Sequence, residues 1–330
     1  MKESRHSSLG LSDNDVLKMY KVMRLARKID ERMWLLNRAG KIPFVISGQG
    51  QEATQVGASF ALDRNKDYVA PYYRDMGVVL SFGMTTKELM LSGFAKAEDP
   101  NSGGRQMPGH FGYKKNKIIT GSSPVTTQVP HAVGFALAAK LKGKDFVTLT
   151  TLGDGSTNQG DFHEGLNFAG VHQLPVITLV QNNKLAISVP FEKQIASNSI
   201  ADRAKSYGMP GVIVNGNDPL EVFDAVKKAR KRAANGEGPT LIEAVTVRLT
   251  AHSSDDNDRT YRTKEELEEA KKNDCIELFS TYLREYGILT EKVEKELDEA
   301  IMNEINEATD YAEQAAFASP DTLLDYVYEK

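Results

Sequence analysis

The sequence predicts an α/β fold: a doubly wound, mostly parallel sheet flanked by helices, with helical extensions at the N- and C-terminal ends. Three observations predict it. Segments 146–152 (FVTLTTL) and 176–180 (VITLV) are short, apolar and rich in β-branched residues, as strands buried on both faces are. Between them, Phe162, Leu166 and Ala169 share one helical face of segment 161–171. Segments 211–214 and 239–249 then repeat the strand pattern around an amphipathic stretch at 218–234. A strand–helix–strand unit of this length is most simply a right-handed parallel crossover, which brings both strand ends to one edge of the sheet.

Composition bounds the rest. A chain of 330 residues with 40% hydrophobic content can build a sizeable core. The net charge of −4 gives no general attraction to nucleic acid or to an anionic membrane. The one cysteine, Cys275, excludes an internal disulfide and a cysteine-bound metal, and fits a reducing compartment. Without a bilayer-length apolar run or a signal-peptide core, the expected location is cytoplasmic. The expected organisation is a flexible tail at 1–11, an α/β domain with N-terminal helices at 12–262, and a helical extension at 263–330 packed on that domain or on a partner.

Taken in order, Ser12 and Asp15 form a capping box that opens a helix to about Asn37, closed by Gly40, with Val16, Met19, Tyr20, Met23 and Ala26 facing the core. A GQGQE turn at 48–52 runs into a helix over 51–61. At 68–74, YVAPYYR, an extended run ends in Arg74, whose fork suits a phosphate, although an arginine in such a run more often stands at the surface. Segment 99–112 is too rich in Gly and Pro for regular structure, and His110 reads as a loop histidine with a structural bond. Segment 121–128 (GSSPVTTQ) gathers neutral oxygens that can hold a monovalent cation or merely make turns, ahead of a helix at 130–140. Residues 200–207 read as helical. The loop 250–261 is polar throughout, and His252 is its one side chain able to exchange protons near neutral pH, unless it is simply solvated. Helices follow from 263 and over 291–315, and the last fifteen residues, with Tyr326 and Tyr328, are expected to pack beside them.

The chemistry centres on Gly153-Asp154-Gly155 and Gln181-Asn182-Asn183, each closing a strand. With both strand ends on one edge, Asp154 and Asn183 face each other, where open parallel sheets bind ligands. A carboxylate and an amide oxygen are hard donors, suited to magnesium or calcium rather than zinc. Magnesium fills its remaining positions with water, backbone carbonyls and phosphate oxygens, so a diphosphate is the expected ligand, helped by the amides of Gly155 and Ser156. An ordinary βαβ unit with turn residues at its strand ends is the alternative.

GDG and NN, with residues 156–181 between them, resemble the thiamine diphosphate motif, and nearly the whole chain resembles the alpha subunits of the dehydrogenase (decarboxylating) component of 2-oxo acid dehydrogenase complexes. GRQMP at 104–108 and GSSP at 121–124 resemble the branched-chain type most. The resemblance implies a thiamine diphosphate-binding fold and oxidative decarboxylation of branched-chain 2-oxo acids, with acyl transfer to the lipoyl group of an acyltransferase component. It implies magnesium on Asp154, Asn183 and the backbone carbonyl of Leu185. Tyr73, Arg74, Ser123, Val125, Asp154, Gly155, Ser156, Gln181, Asn183 and His252 become cofactor-binding residues, with His252 also catalytic. Potassium is implied at Ser122, Pro124, Thr127 and Gln128. Ser253 matches a serine that is phosphorylated in some relatives. Gln181 stands where several branched-chain members have Arg, and Leu185 where Tyr is common, a difference that a backbone ligand tolerates.

Activation of the cofactor needs a carboxylate against its aminopyrimidine ring. Glu52 and Glu164 are not in a matching context, and in such families a beta subunit supplies the glutamate within an α2β2 heterotetramer. Two other readings stay open: a pyruvate or acetoin dehydrogenase alpha subunit, and a magnesium-dependent nucleotide-binding regulatory protein, the latter without a G-x-x-x-x-G-K-[ST] motif behind it.

Overall fold

The computed structural model describes residues 4–325, 327 and 328. In chain order come α1 (Arg5–Ser8), α2 (Asp13–Arg38), α3 (Glu52–Phe60), β1 (Tyr68–Ala70), α4 (Met76–Ser81), α5 (Thr86–Gly93), α6 (Gln128–Leu141), β2 (Thr148–Gly153), α7 (Gly160–Val171) and β3 (Val176–Asn182). A small hairpin, β4 (Leu185–Ala186) and β5 (Val189–Pro190), follows. Then come β6 (Gly211–Asn215), α8 (Pro219–Ala234), β7 (Thr240–Val245), α9 (Lys264–Lys272), α10 (Cys275–Glu285) and α11 (Glu291–Gln314).

The main sheet has the order β1-β2-β3-β7-β6, and every pairing in it is parallel. The chain steps in one direction from β1 through β3 to β6, then returns to β7. Right-handed crossovers therefore put α6 and α7 on one face and α8 on the other. Alternation along β3 shows both faces: Ile177 and Leu179 join the cluster containing Val222, Phe223 and Val226 of α8, whereas Val180 packs with Phe162 and Leu166 of α7. Strands buried on both sides cannot show a polar face, which is why β2 and β3 read as continuous apolar runs.

The capping box at Ser12 and Asp15 is present, and Val16, Met19, Tyr20 and Met23 of α2 pack against Ile276, Phe279 and Leu283 of α10. Beneath this contact lies an ion network: Arg27 Nε donates to Glu52 at 2.6 Å and Arg27 Nη1 to Asp274 at 2.8 Å. It ties α2, α3 and the start of α10 together, so the helical extension packs on the α/β domain itself.

Several expectations need correction. In place of a free tail over 4–11, α1 seats His6 in the interior, bonded to Tyr282 and Asp13; residues 1–3 lie outside the described residues. The polar residues before segment 161–171 offered Ser156, Thr157, Asn158 and Asp161 as caps; the residue before α7 is Gln159, and none of the four caps it by a side-chain bond. Residues 201–207 are helical as expected, in 3-10 form. The strand expected over 239–249 stops at Val245, because Thr246 onward turns into the site. The helix expected from 263 breaks at Asp274, whose side chain caps α10. Tyr328 is 76% exposed rather than packed, and Tyr326 lies outside the described residues.

Candidate cofactor and metal site

The carboxyl ends of β1, β2, β3 and β7 meet at one edge, and the residues that follow them build the site. Gly153 pairs with Gln181 in register, so Asp154 and Asn183 leave neighbouring strands side by side. Gly155 lies against the small hairpin: a Cβ there would come within 2.6 Å of Ala186 Cβ, so only glycine lets the hairpin close over Asp154. Asn183 Oδ1 accepts from Leu185 N at 3.1 Å, an Asx turn that fixes the Leu185 peptide. Thr126 (φ 83°), Lys184 (φ 67°) and Ile187 (φ 55°) are non-glycine residues held in the left-handed region around the site. Such strain persists only where the surroundings over-determine it, and it gathers at functional sites.

Asp154 is almost fully buried. Burial pushes its carboxyl up, opposed by the amide of Gln194 and by the charges of Arg248 and Arg74. Gln194 Nε2 donates to Asp154 Oδ2 at 2.7 Å, while Gln194 Oε1 is buried without a partner. Arg74 is buried too, with Nη1 donating to Ser47 O at 2.5 Å and Nη2 to His252 Nδ1 at 2.8 Å. Gly48 permits this placement, since a Cβ there would strike Arg74 O at 2.7 Å. Tyr73 stands edge-on to His252, ring centroids 6.3 Å apart.

An Arg donor on Nδ1 leaves the His252 proton on Nε2 in the neutral ring. Burial first, then the guanidinium groups of Arg74 and Arg248, push its pKa down to about 4, against the pull of Asp256. The folded pKa lies below the unfolded value, so the unfolded chain takes up the proton first. Stability from the neutral ring is therefore complete above about 6.5 and lost as pH falls toward 4. We expect amide-exchange protection over residues 250–262, corrected for intrinsic rates, to drop between pH 7 and pH 4.5. Protection that stays constant across this range contradicts the neutral His252.

Ser122, Pro124 and Thr127 are brought together: Thr127 Oγ1 is 3.2 Å from Pro124 O, and Ser122 Oγ bonds Thr127 Oγ1. Gln128 stands beside them with its Nε2 on Thr151 O at 3.0 Å. Ser123 Oγ bonds His110 Nε2 at 2.7 Å, and His110 Nδ1 donates to Met107 O, the structural bond expected of that histidine. Tyr73, Ser123, Val125 and Ser156 line a cavity of about 270 Å³ with Phe44, Ile46 and Met107.

The side chain of Gln181 is already engaged within the protein. It lies on the Ile177–Leu179 face of β3, fully buried, donating to Asp75 at 2.5 Å and accepting from Gln55 at 3.2 Å. Its amide bridges Gln55 and Asp75 at the edge of the sheet. The residues missed from sequence are Arg248, Gln194 and Asp75. Arg248 carried one signal: it is the first charged residue after β7, at the same edge as the others. Among the described residues no cluster of three or more His, Cys, Asp or Glu can hold a metal, so a cation here depends on Asp154 and neutral oxygens.

A family model described as the dehydrogenase E1 component matches residues 20–321. The chain is 66% identical, over the full length of both proteins, to the 2-oxoisovalerate dehydrogenase subunit alpha of Bacillus subtilis (strain 168). It is 38% identical to the pyruvate dehydrogenase E1 component subunit alpha of Bacillus cereus, covering 97% of this chain and 84% of that protein. A mitochondrial 2-oxoisovalerate dehydrogenase subunit alpha of Mus musculus is 36% identical, over 97% of this chain and 72% of that protein. With a site of this design at the carboxyl edge of its sheet, the chain belongs to the dehydrogenase E1 component family.

Proposed function

We propose that this chain is the alpha subunit of a branched-chain 2-oxo acid dehydrogenase that uses thiamine diphosphate and magnesium, works in the cytoplasm, and passes its acyl group to a lipoylated acyltransferase component. The observation that carries the substrate class is the cavity beside Tyr73. Phe44, Ile46, Met107, Pro108 and Val125 give it an apolar wall, fitting a branched alkyl group, and the 66% identity to a 2-oxoisovalerate dehydrogenase subunit supports the same reading.

The residues fit a magnesium diphosphate. Gln194 Oε1 is a buried acceptor without a donor, and Arg248 Nη1 a buried donor without an acceptor. Both lie around Asp154, so one wants a cation or its water and the other an anion. Asp154, Asn183 and the Leu185 carbonyl would hold the metal; Arg74 would face the diphosphate, with Tyr73, Ser123, Val125 and the Gly155-Ser156 backbone along the rest of the cofactor. When bound, thiamine diphosphate supplies the carbanion and the electron sink for decarboxylation. Burial, with the charges of Arg74 and Arg248, keeps His252 neutral, so its Nε2–H is a donor rather than a second cation at the site. Potassium at Ser122, Pro124, Thr127 and Gln128 would brace the loop carrying Ser123.

The glutamate needed at the pyrimidine end is assigned to a beta subunit. In this chain Glu52 is committed to Arg27 and to Gly50 N, and Glu164 is on the exposed face of α7. The chain alone with cofactor and magnesium should be nearly inactive. Co-expressed with its beta subunit, it should decarboxylate 3-methyl-2-oxobutanoate and 4-methyl-2-oxopentanoate ~10-fold or more faster, in kcat/KM, than pyruvate, because alkyl groups in an apolar pocket discriminate by about 1–3 kcal/mol each. A preference for pyruvate would overturn the substrate class. Full activity of the isolated chain would overturn the two-subunit site, and binding of a nucleoside triphosphate without thiamine diphosphate would overturn both.

A further inference from the structure

We propose that Arg248 is a ligand of the cofactor's diphosphate, supplying with Arg74 the second guanidinium contact that Gln181 does not make. The inference rests on the thiamine diphosphate reading above. Arg248 is only 2% exposed, a position that a guanidinium tolerates when its donors are met. Three contacts are made: Nε donates to Thr250 O at 3.3 Å, and Nη2 to Ile187 O at 2.9 Å and to Tyr261 Oη at 2.8 Å. These come from the loop after β7 and from the hairpin that follows Asn183, and they fix the plane of the fork. Nη1, the remaining nitrogen, is buried and has no partner.

An unmet charged donor in the interior is costly and calls for an anion. Its contacts identify the place. Ile187 belongs to the turn between the two strands of the hairpin that closes over Asp154, and Thr250 precedes His252, to which Arg74 donates, so the unfilled nitrogen lies at the same edge of the sheet as Asp154. The nearby acids do not supply the missing acceptor: Asp154 accepts from Gln194, and Asp256 accepts from Tyr261 and from His252 N. Two buried guanidinium groups repelling one another, with one fork unfilled, make a site for a multiply charged oxyanion. Gln181, the next-to-last residue of β3, bonds Asp75 and Gln55 and offers no charge.

The test is a set of binding titrations on the assembled alpha and beta subunits with magnesium, using thiamine diphosphate and unphosphorylated thiamine. Arg248→Gln should weaken thiamine diphosphate by ~10-fold or more, as expected for losing a charge-assisted bond, and leave thiamine within about twofold. Arg248→Lys should recover part of the loss. Tyr261→Phe removes a loop contact while keeping the guanidinium, and should weaken thiamine diphosphate by less than about threefold, well short of the loss in Arg248→Gln. Equal affinity of wild type and Arg248→Gln overturns the assignment, as does an equal loss in Tyr261→Phe, which would make Arg248 an anchor of the loop alone. Failure of the wild-type assembly to bind thiamine diphosphate would instead remove the functional reading itself.

Discussion

Asp154→Ala is expected to abolish magnesium-dependent binding of thiamine diphosphate. Removing a partner outside the ligand shell typically costs ~10–100-fold in metal affinity, and a direct carboxylate ligand should cost at least that. The effect should be large here because the site has so little in reserve. Asn183 and the Leu185 carbonyl are neutral, and among the described residues no cluster of acids, His or Cys stands ready to substitute. Gln194 would lose its acceptor, and the charges of Arg74 and Arg248 would face the diphosphate without the cation between. Titration of the assembled subunits by quenching of protein fluorescence, at fixed magnesium and again with manganese, reads the change. Unchanged affinity removes Asp154 from the metal site.

The second large effect concerns stability. Arg27→Ala should destabilise the chain by about 3–5 kcal/mol, the usual result of removing one partner from a buried ion network. Arg27 bridges Glu52 and Asp274 with both faces of its guanidinium, and Glu52 is nearly inaccessible to water. Without Arg27, Glu52 keeps only the Gly50 amide and the Cys275 thiol as donors, and α2, α3 and α10 lose their common tie. The urea midpoint of the assembled subunits, compared with wild type, measures the loss. A change below about 1 kcal/mol would mean that water reaches Glu52 and that the network is a surface one in effect.

Much of the fold was legible because local signals agree with the tertiary outcome. Ser12 and Asp15 cap a helix wherever the chain places it, and a β-branched run ended by GDG is a strand in a parallel sheet because both its faces must be covered. The ligand edge was legible for the same reason: parallel crossovers send Asp154 and Asn183 to one side regardless of what packs around them. Positions 4–11 were misread because their anchor, His6 against Tyr282, joins residues far apart in sequence. Tyr328 was misread because an aromatic side chain alone does not say whether a surface awaits it.

Gln181 and Arg248 mark the division. The sequence by itself determined the strand periodicity, the two ligand-bearing turns and the family resemblance, since these depend on spacing along one chain. Which polar groups at the sheet edge are paired and which are left unmet was decided by tertiary structure. Gln181 finds both its partners in Asp75 and Gln55, while the carbonyls of Ile187 and Thr250 and the hydroxyl of Tyr261 hold Arg248 with one nitrogen unfilled. An unmet donor exists only after every neighbour has been placed, so no reading of local pattern could have found it.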